Sequence, residues 1–343
     1  MKSSPATASE KIKVLFIERK FNEFFSLEKV FRQVAKSIPE SVFETSFSQL
    51  RFLSNTSGVF RNLLDYRPEP ADIYHVTGHV TFIALVLPPE KTVLTVPDLG
   101  VLRVRHGLRR LMVKKIFFDW PVRRAGYVTA ISQATADDIV KMTGCPPEKV
   151  RVIEIPIDEG LIRLPKPVFN AARPLILQVG AAPHKNLPNL IRAIDGLKCR
   201  LMILGRIDDE TAAMLKEKAI DFENEFEVGE DRIRELYATA DIVAFCSTFE
   251  GFGLPIIEAQ AMGTPVVTSN IDPMKEVAGD GALLVDPHSP EEIRAAIDRL
   301  IEDSSLREKL VLAGTDNVKR YEPATIAAKY AELYREVYGN NQL

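Results

Sequence analysis

The chain has 343 residues and a formal net charge of −3, from 47 acidic and 44 basic side chains, and its hydrophobic fraction is 46%. This length allows two domains with separate cores, and the charge argues against nucleic acid as a partner. The three cysteines lie far apart beside apolar residues, as is typical of a reducing cytoplasm. Residues 1–10 lack the apolar core of a signal peptide, and no apolar run predicts a membrane span.

Strands and amphipathic helices alternate from the start of the chain. Apolar residues predict a buried strand over 11–18 and, at helical spacing, a helix over 26–38. A second strand is predicted within 71–79. Its His75 is expected to be packed and hydrogen-bonded inside the strand. His79 follows at the carboxyl end, where parallel sheets bind ligands, and is therefore a candidate for an acceptor site.

The next strand, within 91–100, ends at Asp98, a second candidate for the acceptor side. A carboxylate at this position would either polarise an acceptor hydroxyl or cap the following turn. The sequence leaves both roles open.

Residues 101–118 form a strongly basic segment in which apolar residues recur at helical spacing. Its basic residues are Arg103, Arg105, Arg109, Arg110, Lys114 and Lys115. The favoured interpretation is a helix that packs on the sheet with a solvated basic face and is interrupted at Gly107. Contact with anionic lipid headgroups or with a lipid-diphosphate acceptor is the alternative. Arg105 is the third candidate on the acceptor side.

Residues 126–158 predict a strand, a helix and another strand. Residues 164–174, LPKPVFNAARP, are rich in proline and show no periodicity, which favours an interdomain linker. A second series opens with the continuous apolar strand 174–180. Lys185 follows at the start of a helix, where a cation opposes the helix dipole and therefore indicates a bound anion.

The segment 247–269, STFEGFGLPIIEAQAMGTPVVTS, predicts a strand end, a glycine-containing loop and a helix. The loop amides at the helix start form a potential phosphate site. Glu258, in the helix, would be repelled by a phosphate unless it accepts hydrogen bonds from hydroxyls, as in a ribose diol. Glu250, on the other side, would reach a sugar. The segment therefore predicts a site for a nucleotide diphosphate that carries a polyhydroxyl group.

The two glutamates around GFGLP, with DIVAFCS before them and MGTPVVTS after them, resemble the donor site of retaining glycosyltransferases, above all glycosyltransferase family four. This resemblance implies an α/β fold of two Rossmann-like domains facing a cleft (GT-B type). The expected domains are an acceptor-side domain over 11–165 and a nucleotide-sugar domain over 174–322. A C-terminal helix over 323–339 is expected to cross back to the first domain.

The resemblance also implies which residues act. Lys185 would meet the diphosphate, Glu250 would orient the donor sugar, and Asp98 would act on the acceptor. The implied donor-binding residues are Gly180, Ala181, Lys185, Arg206, Val228, Gly251, Phe252, Gly253, Leu254 and Glu258. The chain departs from the family where Pro97 replaces a usual histidine and Ala181 replaces a usual arginine. His184 or Arg206 would then supply the second cation.

The expected activity is retaining transfer of a hexose-type sugar from a nucleotide-diphosphate sugar to a hydroxyl acceptor, in bacterial polysaccharide or glycoconjugate assembly. No metal or cofactor is expected, because no Asp-x-Asp stands at a strand end. The expected location is cytoplasmic, with a carbohydrate or lipid-linked acceptor, and peripheral membrane contact through 101–118 is the alternative for the basic segment. A catalytically weak donor-binding partner subunit is the alternative. A nicotinamide dehydrogenase is disfavoured, because no G-x-G-x-x-G follows a strand.

Overall fold

A computed structural model describes residues 11–20, 26–103, 105–161 and 163–342. The chain forms two compact units. Unit 1 runs up to Ile155 and resumes at Pro323, and unit 2 is Pro156–Glu322.

Unit 1 is built on a parallel sheet that has six strands among the described residues. The strands are β1 (Ile12–Glu18), β2 (Phe43–Gln49), β3 (Ile73–Val76), β4 (Thr92–Val96), β5 (Tyr127–Ala130) and β6 (Val150–Val152). The helices before β6 are α1 (Ser26–Ser37), α2 (Thr56–Asp65), α3 (Gly107–Lys114), α4 (Trp120–Arg124) and α5 (Gln133–Thr143). The spatial order is β2-β1-β3-β4-β5-β6, so the chain direction across the sheet reverses between β1 and β3. Ligand crevices in such sheets lie at the carboxyl ends of the strands beside this reversal.

Unit 2 repeats this architecture with a second parallel sheet. Its strands are β7 (Leu175–Val179), β8 (Arg200–Leu204), β9 (Phe222–Glu225), β10 (Ile242–Phe245), β11 (Val266–Ser269) and β12 (Ala282–Val285). Its helices are α6 (Leu187–Ala193), α7 (Asp209–Glu217), α8 (Glu230–Thr239), α9 (Leu254–Ala261), α10 (Met274–Ala278), α11 (Pro290–Glu302) and α12 (Ser304–Val318). The order β12-β11-β10-β7-β8-β9 is the Rossmann order, in which the reversal lies between β7 and β10.

The last helix, α13 (Pro323–Asn340), returns to unit 1 and packs against α1. It buries one face, from Ile326 through Tyr330 and Tyr334 to Val337. The Tyr334 hydroxyl lies 2.6 Å from Nδ1 of His75 in β3. The expected fold, with two Rossmann-like units and a helix that crosses back, is confirmed.

The unit boundary does not fall at the proline-rich segment 164–174. It lies between residues 155 and 156, ahead of the expected end of the first domain. The Lys166 ammonium group donates hydrogen bonds to the carbonyls of Tyr237 and Ala240 at 3.1 and 2.9 Å. These bonds hold the segment on unit 2, and burial lowers the Lys166 pKa to about 8.

The basic segment 101–118 is not one packed helix. Residue 104 lies outside the described part. Gly107, at a φ of +60°, begins α3 rather than interrupting it, and a π-helical stretch follows over Lys115–Asp119. No residue of α3 is buried, and Leu108 and Met112 are 73% and 50% exposed. The favoured interpretation of one helix packed on the sheet is therefore wrong for most of α3, although Val113 of α3 and Ile116 and Phe117 after it pack against the core of unit 1. None of the described helices is both long enough and apolar enough for a membrane span.

Candidate functional site

The loops after β7 and β10 meet at the reversal of the unit 2 sheet. The Thr248 amide donates to the His184 carbonyl at 2.8 Å. The buried Asn186 side chain donates to the Cys246 carbonyl at 2.9 Å. These two bonds fix one loop against the other, so side chains that the sequence separates by more than sixty residues meet at this edge of the sheet.

Lys185 and Glu250 form an ion pair across these loops. The Lys185 Nζ atom lies 2.7 Å from Glu250 Oε1, and the two side chains are only 18% and 12% exposed. The ammonium also lies 4.7 Å from the centroid of the Phe245 ring. Gly180, at a φ of +89°, leaves room for the lysine stem, since a Cβ there would lie 2.8–3.0 Å from three of its carbons. Two of the predicted site residues are thus brought into direct contact.

A buried tyrosine orients the Glu258 side chain. The Tyr237 hydroxyl, at the end of α8, donates to Glu258 Oε2 at 2.5 Å. Tyr237 is fully buried, and burial together with the neighbouring carboxylate raises its pKa well above the ordinary value of 10. The hydroxyl therefore remains protonated, and the glutamate remains an acceptor held in one orientation.

The loop ahead of Glu258 is anchored by an aromatic contact. Phe252 is 3% exposed, and its ring meets Tyr321 edge-on at 5.5 Å between centroids. Gly253 has a φ of +112° and leads directly into Leu254, the first residue of α9. The buried Phe252 ring, between Gly251 and Gly253, therefore fixes the loop backbone where the sequence predicts a phosphate site.

Two further donor-binding candidates, Arg206 and Val228, lie on two other loops of unit 2. Arg206, after β8, pairs with Glu227 at 2.9 Å and stacks over Phe226 at 4.4 Å. Both partners of the ion pair are exposed, so it contributes little to stability. Val228 lies beside Glu227 on the loop after β9 and is half-buried. Ala181 is packed so closely against Gly205 that a Cβ on the glycine would lie 3.0 Å from the Ala181 nitrogen.

The acceptor-side candidates lie in unit 1 and line one cavity of about 550 Å³. His79 comes from the loop after β3, Asp98 from the loop after β4, and Arg105 from the segment before α3. The structure thus groups these three residues. The Asp98 carboxylate accepts from the Gly100 amide at 2.7 Å, so it caps the turn and lines the cavity at once.

His75 lies outside this cavity, in agreement with the prediction that it is packed within the strand. It is fully buried and contacts the Tyr334 hydroxyl at 2.6 Å and the Thr95 hydroxyl at 2.7 Å. Burial lowers its pKa to about 3. His75 is therefore neutral and structural.

Three residues that shape the site were not predicted from the sequence. Gln178 donates to the carbonyls of Gly180 and Lys185 at 3.0 and 3.1 Å, while Asn186 and Tyr237 act as described above. A lone polar residue within the apolar strand LILQV was a usable signal for Gln178. No comparable local signal marks Tyr237, because its partner is 21 residues away.

Two family models match the two halves of the chain. The model for Glycosyltransferase Family 4 matches residues 8–161, and the model for Glycosyl transferases group 1 matches residues 164–316. The O-antigen chain mannosyltransferase RfbU of Salmonella typhimurium is 30% identical over 203 residues, covering 55% of this chain and 56% of that protein. O-antigen chain mannosyltransferase B of Escherichia coli is 39% identical over 94 residues, covering 27% of this chain and 25% of that protein. The chain thus spans at most about half the length of these relatives.

Among solved structures, Anabaena HepE in complex with UDP and glucose superimposes with a TM-score of 0.73 at 18% identity, covering 94% of this chain and 99% of that one. At this identity the likeness concerns the fold alone. Two parallel sheets, each with a reversal in its strand order, are the architecture of a protein of the GT-B class. Together with the two family models, they show that the chain belongs to the family four (group 1) glycosyltransferases.

Proposed function

We propose that the protein is a retaining hexosyltransferase that uses a nucleotide-diphosphate sugar and acts in bacterial polysaccharide or glycoconjugate assembly. The observation that carries this proposal is the Lys185–Glu250 ion pair at the reversal of the unit 2 sheet. In the proposed reaction the Lys185 ammonium meets the diphosphate and the Glu250 carboxylate meets the donor sugar. The names of the O-antigen mannosyltransferase relatives, and the UDP and glucose bound to HepE, support the same substrate class.

The ion pair suggests how the donor is received. A diphosphate competes with Glu250 for the Lys185 ammonium and, once paired with it, leaves the glutamate to accept hydrogen bonds from the sugar hydroxyls. As the glycosidic bond breaks, negative charge grows on the leaving oxygen, where Lys185 and the loop amides stabilise it. Glu258, held by Tyr237, accepts hydrogen bonds from the ribose.

Retention of configuration follows if the acceptor hydroxyl attacks on the face that the diphosphate leaves. The departing diphosphate then accepts the hydroxyl proton, so no separate protein base is needed. Asp98 and His79 would orient the acceptor. The proposal includes no metal and no cofactor, because the sequence carries no Asp-x-Asp at a strand end to hold a divalent ion.

The proposal also includes a cytoplasmic location with peripheral contact to the membrane through residues 101–118, and a carbohydrate or lipid-linked acceptor. The exposed apolar side chains of α3 beside its basic residues support this contact. The test is cosedimentation with anionic vesicles. The Leu108→Asn variant is expected to weaken binding, and Leu312→Asn, at an equally exposed leucine of unit 2, is the matched control. Equal binding by both variants would contradict the membrane contact.

The activity itself is tested with a panel of nucleotide sugars. Thermal shift identifies the donor, because a ligand that binds only the folded protein raises its melting temperature. NMR of the anomeric proton of the product then reports retention, and excess EDTA is expected to leave turnover unchanged. An inverted product, or a loss of turnover that magnesium restores, would contradict the proposal. Donor binding without turnover on any acceptor would identify the catalytically weak subunit suggested by Pro97 and Ala181.

A further inference from the structure

Unit 1 carries two adjoining depressions that share a single residue, Arg105. The first is the cavity that contains His79 and Asp98. Apart from these polar groups, much of its wall is apolar and comes from α3 and the π-helical stretch after it. The residues of this wall are Met112, Val113, Ile116, Phe117 and Phe118. The second depression is an open groove of about 670 Å³.

The open groove is basic. Its cationic residues are Arg103, Arg105, Arg110, Lys114 and Lys141, and its acidic lining residue is Asp138. Asp138 is bonded to Arg103 at 2.8 Å, and Lys114 pairs with Asp119 at 2.6 Å. Positive charge is therefore still in excess after these pairs are counted, and the groove suits an anion of more than one charge.

The apolar cavity opens beside α3, a helix with several largely exposed apolar side chains. Met112 lines the cavity and is also 50% exposed on α3, where Leu108 and Leu111 are 73% and 53% exposed. A cavity of about 550 Å³ lies within the roughly 300–1,000 Å³ range of small-molecule sites. The combination of an apolar wall, an exposed apolar rim and an adjacent basic groove matches an amphiphile rather than a free sugar.

We propose that this composite site takes a lipid phosphate, as the acceptor of the transfer proposed above. The apolar chain lies against the Met112 wall, and the phosphate lies at Arg105, where the two depressions meet. The sugar-bearing end points to His79 and Asp98. A glycan that is attached to a lipid through a phosphate has the same three parts: an apolar chain, a phosphate and a sugar with free hydroxyls. The inference rests on the proposed function for the identity of the acceptor, but the binding it describes requires no donor.

The first test is binding of small probes by calorimetry, with no nucleotide present. The probes are a ten-carbon prenyl monophosphate below its micelle concentration, the matching prenyl alcohol and inorganic phosphate. Burial of each methylene contributes about fourfold in affinity, so the prenyl phosphate should bind at least about 100-fold more tightly than inorganic phosphate. Loss of a charged hydrogen-bond partner should make the alcohol at least about tenfold weaker. Equal affinity for the prenyl phosphate and inorganic phosphate would overturn the proposal, and so would equal affinity for the prenyl phosphate and the alcohol.

Two matched pairs of variants then locate the two ends of the ligand. Arg105→Glu should weaken prenyl phosphate binding at least about tenfold without changing binding of the alcohol. Arg109→Glu makes the same charge change at an exposed residue outside both depressions and should have little effect. Met112→Asp should weaken both prenyl probes, whereas Leu312→Asp, at an exposed leucine of unit 2, should not. Equal effects within either pair would overturn the placement.

Failure of this inference is distinguishable from failure of the proposed function. Binding of a nucleoside diphosphate concerns unit 2 and is measured separately on the same samples. Normal nucleotide binding and transfer to a free sugar, with no preference for the prenyl phosphate, would overturn the lipid acceptor and leave the glycosyltransferase standing. Prenyl phosphate binding with the expected variant pattern, but without donor binding, would support the site and contradict the donor.

Discussion

At the scale of single residues, the candidate donor site contains side chains that are held in place without any ligand. Lys185 is paired with Glu250 at 2.7 Å, and Glu258 is paired with Tyr237 at 2.5 Å. Both glutamates are thus positioned by a partner from another element. Preorganisation of this kind reduces the cost of ordering side chains when the donor binds.

The Tyr237–Glu258 hydrogen bond predicts a graded loss of nucleotide binding. Glu258→Ala should raise the Kd for the matching nucleoside diphosphate by about 10- to 100-fold, since a carboxylate that accepts ribose hydroxyls contributes ~1.5–3 kcal/mol. Tyr237→Phe should have a smaller effect, because it frees the carboxylate to rotate without removing it. Calorimetry on both variants and on the double variant measures this.

The two effects are expected to be less than additive, because once Glu258 is absent Tyr237 has nothing to orient. Glu235→Ala, at an exposed glutamate of α8, serves as the control for a general effect of charge. An unchanged Kd in Glu258→Ala would show that this residue has only a structural role.

Lys185→Ala is expected to lose turnover more than donor affinity. The charge that this lysine meets grows as the sugar departs, and removal of one preorganised donor at such a position costs about 10²–10³ in rate. Because Arg206 is bound to Glu227 on another loop, Arg206→Ala should combine additively with Lys185→Ala. Steady-state kinetics on the single and double variants is the measurement.

Lys216→Ala, at an exposed lysine of α7, is the matched control and should keep normal kinetics. Near-normal turnover in Lys185→Ala would be incompatible with a lysine on the diphosphate. A double variant that departs from additivity would mean that Arg206 shares the task.

At the scale of elements, the sequence predicted the apolar central strands more reliably than the polar edge strands. Continuous apolar runs identified β1 and β7. The edge strand β2 (FETSFSQ) was missed, because an edge strand that is half exposed carries polar residues and loses the apolar signal. The proline-rich segment 164–174 was interpreted as a linker because of its composition. The structure holds it on unit 2 through bonds of Lys166 to residues more than seventy positions away. Local amino-acid composition does not predict such distant hydrogen-bond partners.

The contact between β3 and α13 predicts a specific dependence of stability on pH. Unfolded His75 binds a proton near its ordinary pKa of 6.5, whereas burial lowers the folded pKa to about 3. The unfolded chain therefore binds more protons in this window, and stability falls as the pH drops below about 6.5. Between about pH 7 and pH 5 the protein should lose roughly 2 kcal/mol more than the His75→Gln variant, which cannot titrate.

Urea unfolding curves across this range make the comparison. His288→Gln, at an exposed histidine, should keep the pH dependence of the unchanged protein. If His75→Gln follows the same curve as the unchanged protein, His75 is not the group that couples folding to pH.

At the scale of the whole molecule, the chain completes unit 1 only after it has built unit 2. The family resemblance predicted the two units and the returning helix. It did not predict the residues through which α13 is bound, because these contacts join positions about 260 apart, such as His75 and Tyr334. Unit 1 therefore depends on a segment at the other end of the sequence.

Tyr334→Ala is accordingly expected to destabilise unit 1 by about 3–5 kcal/mol, the usual cost of truncating a buried aromatic side chain. Tyr334 is fully buried among the rings of Phe16, Phe43 and Tyr330. Tyr338→Ala, at a half-buried tyrosine one turn later on the same helix, is the matched control and should cost less.

Scanning calorimetry is recorded with and without a nucleoside diphosphate, which raises the melting temperature of the unit that binds it. In Tyr334→Ala, the transition that responds to nucleotide should stay near its normal temperature while the other moves down. A drop in the nucleotide-responsive transition as large as in the other would contradict the assignment of α13 to unit 1.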